Sequence, residues 1–245
     1  MKKAYSLKAG IALALITSSP LVFATNGYFT HGLGTKNKAL AGAGTATPQE
    51  AMATSVNPAS AVVLGNKFES GISLFSPRRS YAATASLANG QGGAFTIDPG
   101  NVDSGSEYFP IPYIARTWDL NEDTAIGLSF YGRGGMSTNY TGGSATFDPD
   151  GPGPAPVMSL PGAYGAGKAG VNLMQAFTDI TYSKRNGDLA WGAALVLAGQ
   201  AFKADGFASF TPYTETFAAS GGTAPARSLS NNSRDFAYGA GFKLG

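Results

Sequence analysis

Phe236-Ala237-Tyr238-Gly239-Ala240-Gly241-Phe242-Lys243-Leu244-Gly245 sets Phe236, Tyr238, Ala240, Phe242 and Leu244 against Ala237, Gly239, Gly241, Lys243 and Gly245. Successive side chains of a strand point to opposite faces, so this segment reads as a strand with one apolar face and one small or polar face. The same alternation recurs upstream. Leu189 to Lys203 places Leu189, Trp191, Ala193, Leu195 and Leu197 opposite Gly192, Ala194, Val196, Ala198 and Gln200. Thr124 to Arg133 opposes Ile126, Leu128 and Phe130 to Gly127, Ser129 and Tyr131. Met174 to Tyr182 opposes Ala176, Ile180 and Tyr182 to Gln175, Asp179 and Thr181, and Phe68 to Phe75 and Tyr108 to Trp118 complete six candidate strands. Such segments are weak singly and persuasive as a series.

The connections alternate in length. The second and fourth strands are followed by the short links Asp119-Leu120-Asn121-Glu122-Asp123 and Lys184-Arg185-Asn186-Gly187-Asp188, and Asn-Gly favours a tight hairpin. The first, third and fifth strands are followed by links of about 25 to 40 residues rich in Gly, Ser, Ala and Pro. Short turns at one end and long loops at the other are the asymmetry of an outer-membrane barrel. Trp118 precedes one short link and Trp191 follows the other, which places both near the periplasmic interface, where aromatic girdles gather. A secreted soluble sandwich also alternates, but its strands are rarely joined by loops this long at one end only.

Composition narrows the function. The chain has 245 residues, no cysteine, one histidine, 34 glycines and 14 prolines, which leaves no thiol chemistry, no Cys-based zinc site and no imidazole cluster for a metal. No cofactor is expected. Met1 to Ala24 has a basic start (Lys2, Lys3, Lys8), an apolar stretch and small residues at its end, which reads as a signal peptide over 1–24 cleaved after Ala24. Without those three lysines the 17 Lys and Arg fall to 14 against 15 Asp and Glu, so no basic excess argues for nucleic acid.

Residues 25–65 differ from the strands in kind. Thr47-Pro48-Gln49-Glu50 has the form of a capping box with proline at the first helical position, so a short helix is expected from Pro48 to Ser55. Asn57-Pro58 ends it, and Asn57 can cap a second turn beginning at Pro58. A small helical segment ahead of a barrel suggests a plug in the lumen.

Asn26-Gly27-Tyr28-Phe29-Thr30-His31-Gly32-Leu33-Gly34, followed by Ala41-Gly42-Ala43-Gly44 and Asn57-Pro58-Ala59, resembles the N-terminal hatch of the FadL family of outer-membrane long-chain fatty acid and hydrocarbon transporters. The similarity runs on through the strand pattern. It implies an all-β fold: a transmembrane antiparallel barrel of fourteen strands, of which this chain would hold about six over residues 66–245, behind a small helical hatch. It also implies a monomer in the bacterial outer membrane, in contact with its lipid and lipopolysaccharide, taking up hydrophobic molecules passively. Gly32, Gly34, Asn57, Pro58 and Ala59 would then belong to the hatch. Lateral exit would use a kink in the third strand, where Gly132, Gly134 and Gly135 lack side chains. Six strands cannot close a barrel that needs at least eight, so the chain is expected to be the N-terminal part of a longer one.

A carrier of such a ligand needs an apolar groove and one cation at the head group. Phe207, Phe210, Tyr213 and Phe217 in the loop after strand five are candidates for the groove, and Lys203 for the carboxylate partner. Arg78 and Arg79 would face lipopolysaccharide phosphates or the lumen. Aromatic hydrocarbon uptake by the same fold, or a structural or adhesive barrel, are the alternatives. Catalysis is not expected. Gly165-Ala166-Gly167-Lys168-Ala169-Gly170 imitates a dinucleotide loop but is followed by a strand pattern, Asp148-Pro149-Asp150-Gly151 lacks the later Glu of a calcium loop, and His31 has no nucleophile motif to serve.

Overall fold

The computed structural model describes residues 29–223 and 233–245, so the expected signal peptide and the start of the expected hatch lie outside the described residues. The protein is all-β and antiparallel. Its six alternating segments form one six-stranded sheet: β1 (Lys67–Phe75), β5 (Phe109–Asn121), β6 (Thr124–Ser137), β9 (Gly170–Asn186), β10 (Leu189–Asp205) and β11 (Asp235–Leu244), each beside the next in that order. The two short links are two-residue hairpins, Glu122-Asp123 and Gly187-Asp188, the latter with Gly187 at φ 59°, a conformation glycine adopts without penalty.

The long links carry strands that alternation did not reveal. Between β1 and β5 lie β2 (Ser80–Ala83), β3 (Ala94–Ile97) and β4 (Gly100–Asp103); between β6 and β9 lie β7 (Ser144–Asp148) and β8 (Met158–Pro161). β2 pairs with β4, while β3 pairs with β7 and β7 with β8, which joins the first long link to the second. The third contains a 3-10 segment at Phe207–Tyr213 and a short helix at Glu215–Ala219.

The six-stranded sheet is apolar on its open side. Leu128, Ile180, Leu195 and Phe242 stand in one register row across four strands and are 45%, 51%, 48% and 80% exposed. The neighbouring row on the opposite face, Ala115, Ser129 and Asp179, is at most 1% exposed. A soluble sheet buries its apolar face; this one buries the small and polar one.

What covers that face is the segment before β1, which holds α1 (Thr35–Ala39), 3-10 turns at Ala43–Thr45 and Ala51–Ser55, and α2 (Ser60–Leu64). Leu33, Ala51 and Met52 pack on Tyr113, Ala115 and Tyr131, with Val56 and Phe177 at the margin. Ala61 and Val62 pack on Ala125, beside Ala190. The expected helix over Pro48–Ser55 is instead a 3-10 turn beginning at Ala51, and the capping box does not form. The Glu50 carboxylate accepts from the backbone N–H groups of Lys36 and Asn37 at 2.8 and 2.7 Å, capping α1 from a distance in sequence.

Candidate functional site

The segment over the sheet is seated by close backbone approach. Gly32 and Gly34 have φ of 77° and 83°, and a Cβ at Gly34 would land on the Glu50 carboxylate and Met52. Asn57 Oδ1 accepts from Ala59 N–H at 3.1 Å, and Asn57 Nδ2 donates to the Thr45 carbonyl at 3.1 Å, so Asn57 ties the two turns together. Pro58 and Ala59 are buried against Gly192 of β10, where a Cβ would come within 2.5 Å of the Pro58 backbone. Polar ties continue along the wall: Val62 N–H donates to Ser183 Oγ at 2.8 Å, Arg185 to the Val62 carbonyl at 2.9 Å, and Thr35 Oγ1 meets the Tyr113 hydroxyl at 2.7 Å.

A buried polar cluster lies under the Ala51–Ser55 turn. Asp179, fully buried on β9, pairs with Lys243 of β11 at 2.7 Å and accepts from the Tyr131 hydroxyl at 3.1 Å. The same ammonium donates to the Ser55 carbonyl at 2.7 Å, so one lysine holds β11 to β9 and both to the covering segment.

The six-stranded sheet breaks between β5 and β6. Their ladder ends at Tyr113 opposite Tyr131, although β5 continues to pair with β1 as far as Phe109 and β6 with β9 as far as Ser137. Two features account for the break. On β6, Arg133 and Gly134 face a single residue of β9 between the Gly132–Ala176 and Gly135–Met174 pairs, a bulge with Gly134 at φ 74° and Gly135 at φ 143°. On β5, Pro110 and Pro112 have no N–H to give a neighbour. The irregularity expected at Gly132, Gly134 and Gly135 is a bulge within the third strand, which runs on past them to Ser137. A Cβ on Gly132 would lie 3.0 Å from Ile111 Cγ2, so the Ile111 side chain stands against the break. The alternate prolines are the signal that sequence reading passed over.

At the loop end, Phe207 and Phe210 join Tyr164, with ring centroids 5.4 and 6.0 Å from it, and Leu160 and Phe95 lie beside Gly165 at the same place. Phe217 is apart from this cluster, packed by Gly222. Lys203 is ion-paired with Asp205 at 3.1 Å, and Lys168 reaches the same carboxylate at 3.2 Å, so Lys203 is already engaged. Arg78 pairs with Glu107 and lies over Tyr108, and Arg79 donates to the Ser106 carbonyl. The stretch after Gly165 leads into β9 and not into a helix, which removes the context a dinucleotide loop needs.

Compared with protein families, curated proteins and solved structures, the chain matches none.

Proposed function

We propose that the chain forms part of the wall and the plug of a bacterial outer-membrane barrel that takes up fatty acids or similar hydrophobic compounds and releases them sideways through the break between β5 and β6. The observation that carries this reading is the inverted sheet, apolar on its open face and small and polar where it is covered. Among the described residues no helix is long and apolar enough to cross a membrane.

The dimensions support the reading. On β10 the alternate positions of the apolar side are Leu189, Trp191, Ala193, Leu195, Leu197, Gly199 and Ala201, the last buried beneath its neighbours, and no charge interrupts them before Lys203. At about 3.3 Å per residue and a tilt of about 40°, they rise roughly 30 Å, the thickness of a hydrocarbon core. At the hairpin end Trp191 meets Tyr182 at 5.9 Å and Arg116 lies over Trp118 at 5.1 Å, an arrangement suited to a membrane interface. Membrane strands leave no open edge, so β1 and β11 would be closed by further strands.

Side exit follows from the chemistry of the cargo. An apolar chain leaving straight into aqueous periplasm would lose about 0.8 kcal/mol for each methylene exposed. A break in the wall lets it pass into lipid instead. The test is uptake of a labelled long-chain fatty acid by cells whose own uptake protein is deleted and which express the complete protein. Restored uptake, with the protein in the outer-membrane fraction, is expected; a soluble protein or unrestored uptake would refute the reading.

A further inference from the structure

We infer that Arg133, in the β6 bulge, is the receptor for an anionic head group, so that the break in the wall selects amphiphiles bearing a carboxylate over neutral hydrocarbons. The inference rests on the uptake reading above and adds to it the class of ligand.

Arg133 occupies the one stretch where β6 has left β5, and the two-against-one bulge sets its backbone. Its guanidinium carbon lies 4.7 Å from the centroid of Phe29, in the segment that covers the sheet, so the charge sits on the covered side of the wall. Cation–π contact satisfies a guanidinium only through its face. Its edge still carries N–H donors in a fixed fork, and the Arg133 Nε is buried with no hydrogen-bond partner among the described residues. No described carboxylate forms an ion pair with it. Asp179, on the same covered face, is engaged by Lys243 and Tyr131.

A buried donor without a partner is costly, and an arginine fork fits a carboxylate in two parallel bonds. Lys203, the candidate from sequence, has Asp205 already. The surroundings of Arg133 suit the rest of such a ligand: Phe29 on one side, the Tyr131–Phe177 stack at 5.6 Å beside it, and Ile111 at the opening. The head group would be held inside the wall while the tail lies against the break.

The experiment uses the complete protein purified in detergent, with palmitate and methyl palmitate competing against a fluorescent fatty acyl probe. The native protein should bind the acid about tenfold or more tightly than the ester. Arg133→Gln should abolish that preference by weakening the acid alone, Arg133→Lys should keep part of it, and Lys203→Gln should leave it intact. Equal affinity for acid and ester in the native protein would overturn the inference without any variant. So would a preference that survives Arg133→Gln or disappears in Lys203→Gln. Uptake by cells, measured in parallel, tests the transport reading separately, since binding selectivity can hold where uptake fails and the reverse.

Discussion

Asp179 shows at the scale of one residue why the covered face cannot be an ordinary core. A carboxylate with no exposed surface is tolerable only when its charge is met, and here Lys243 and the Tyr131 hydroxyl meet it. Removing the lysine strands the charge. Lys243→Met should therefore destabilise the protein by about 2–3 kcal/mol, at the lower end for a buried pair because the lysine is partly exposed. It also cuts the tie to the Ser55 carbonyl, so amides of Ala51–Ser55 should exchange hydrogen faster than those of β9. Asp179→Asn in the Lys243→Met background should recover part of the loss; thermal unfolding and hydrogen exchange of the three proteins check both statements. None of this pairing was legible beforehand. Alternation put Asp179 on the polar face, yet nothing in a sequence says that residues 64 positions apart meet. Glu50 makes the same point, since its spacing from Thr47 suggested a local cap while its carboxylate serves Lys36 and Asn37.

At the scale of elements, the long strands were legible because each repeats a two-residue period over nine residues or more, whereas β2, β3, β4, β7 and β8 span only four or five and show too few periods to read. The bulge was half legible: its glycines stood out, while the register shift depends on a partner strand. Because the chain has no cysteine, Ile111→Cys with Gly132→Cys gives a reversible lock across the break. If the proposed uptake and side exit hold, oxidised cells should lose uptake and recover it on reduction, and undiminished uptake by the crosslinked protein would count against an exit at this break. In the loop sheets, Asp98 accepts from Thr146 Oγ1 at 2.7 Å and from the Ser144 hydroxyl, and these bonds lower its pKa below the ordinary 3.8. A carboxyl depressed in the folded state stabilises fully above its unfolded pKa and loses that contribution as pH falls through the folded value. Protection of the β7 amides should thus be flat from neutral pH down to the ordinary aspartate range and fall below it. Asp98→Asn should remove that pH dependence in hydrogen exchange.

For the whole molecule the decisive contrast is which face of the sheet needs its cover. In a soluble sandwich, stripping one layer exposes an apolar core, and the remainder aggregates or unfolds. Here the covered face presents mainly Ala125, Gly127, Ser129, Thr181, Ser183 and Ala194, residues that water can wet, with Tyr113, Tyr131 and Phe177 as its larger rings, while the long aliphatic side chains such as Leu128, Ile180 and Leu195 face outward. If the proposed membrane setting holds, the outward face is satisfied by lipid and the strands by one another, so the sheet would not depend on its covering segment for solvation. On the proposed reading, deleting residues 29–64 while keeping residues 1–28 should then leave an outer-membrane protein that still changes gel mobility on heating. The released lumen should admit water and polar solutes, so such cells should become sensitive to large hydrophilic antibiotics that intact outer membranes exclude. Uptake of fatty acid should lose its selectivity at the same time, because Phe29 no longer backs Arg133. A deleted protein that aggregates before insertion would point to a soluble-type core. One that inserts with unchanged permeability would mean that residues 29–64 do not close the path.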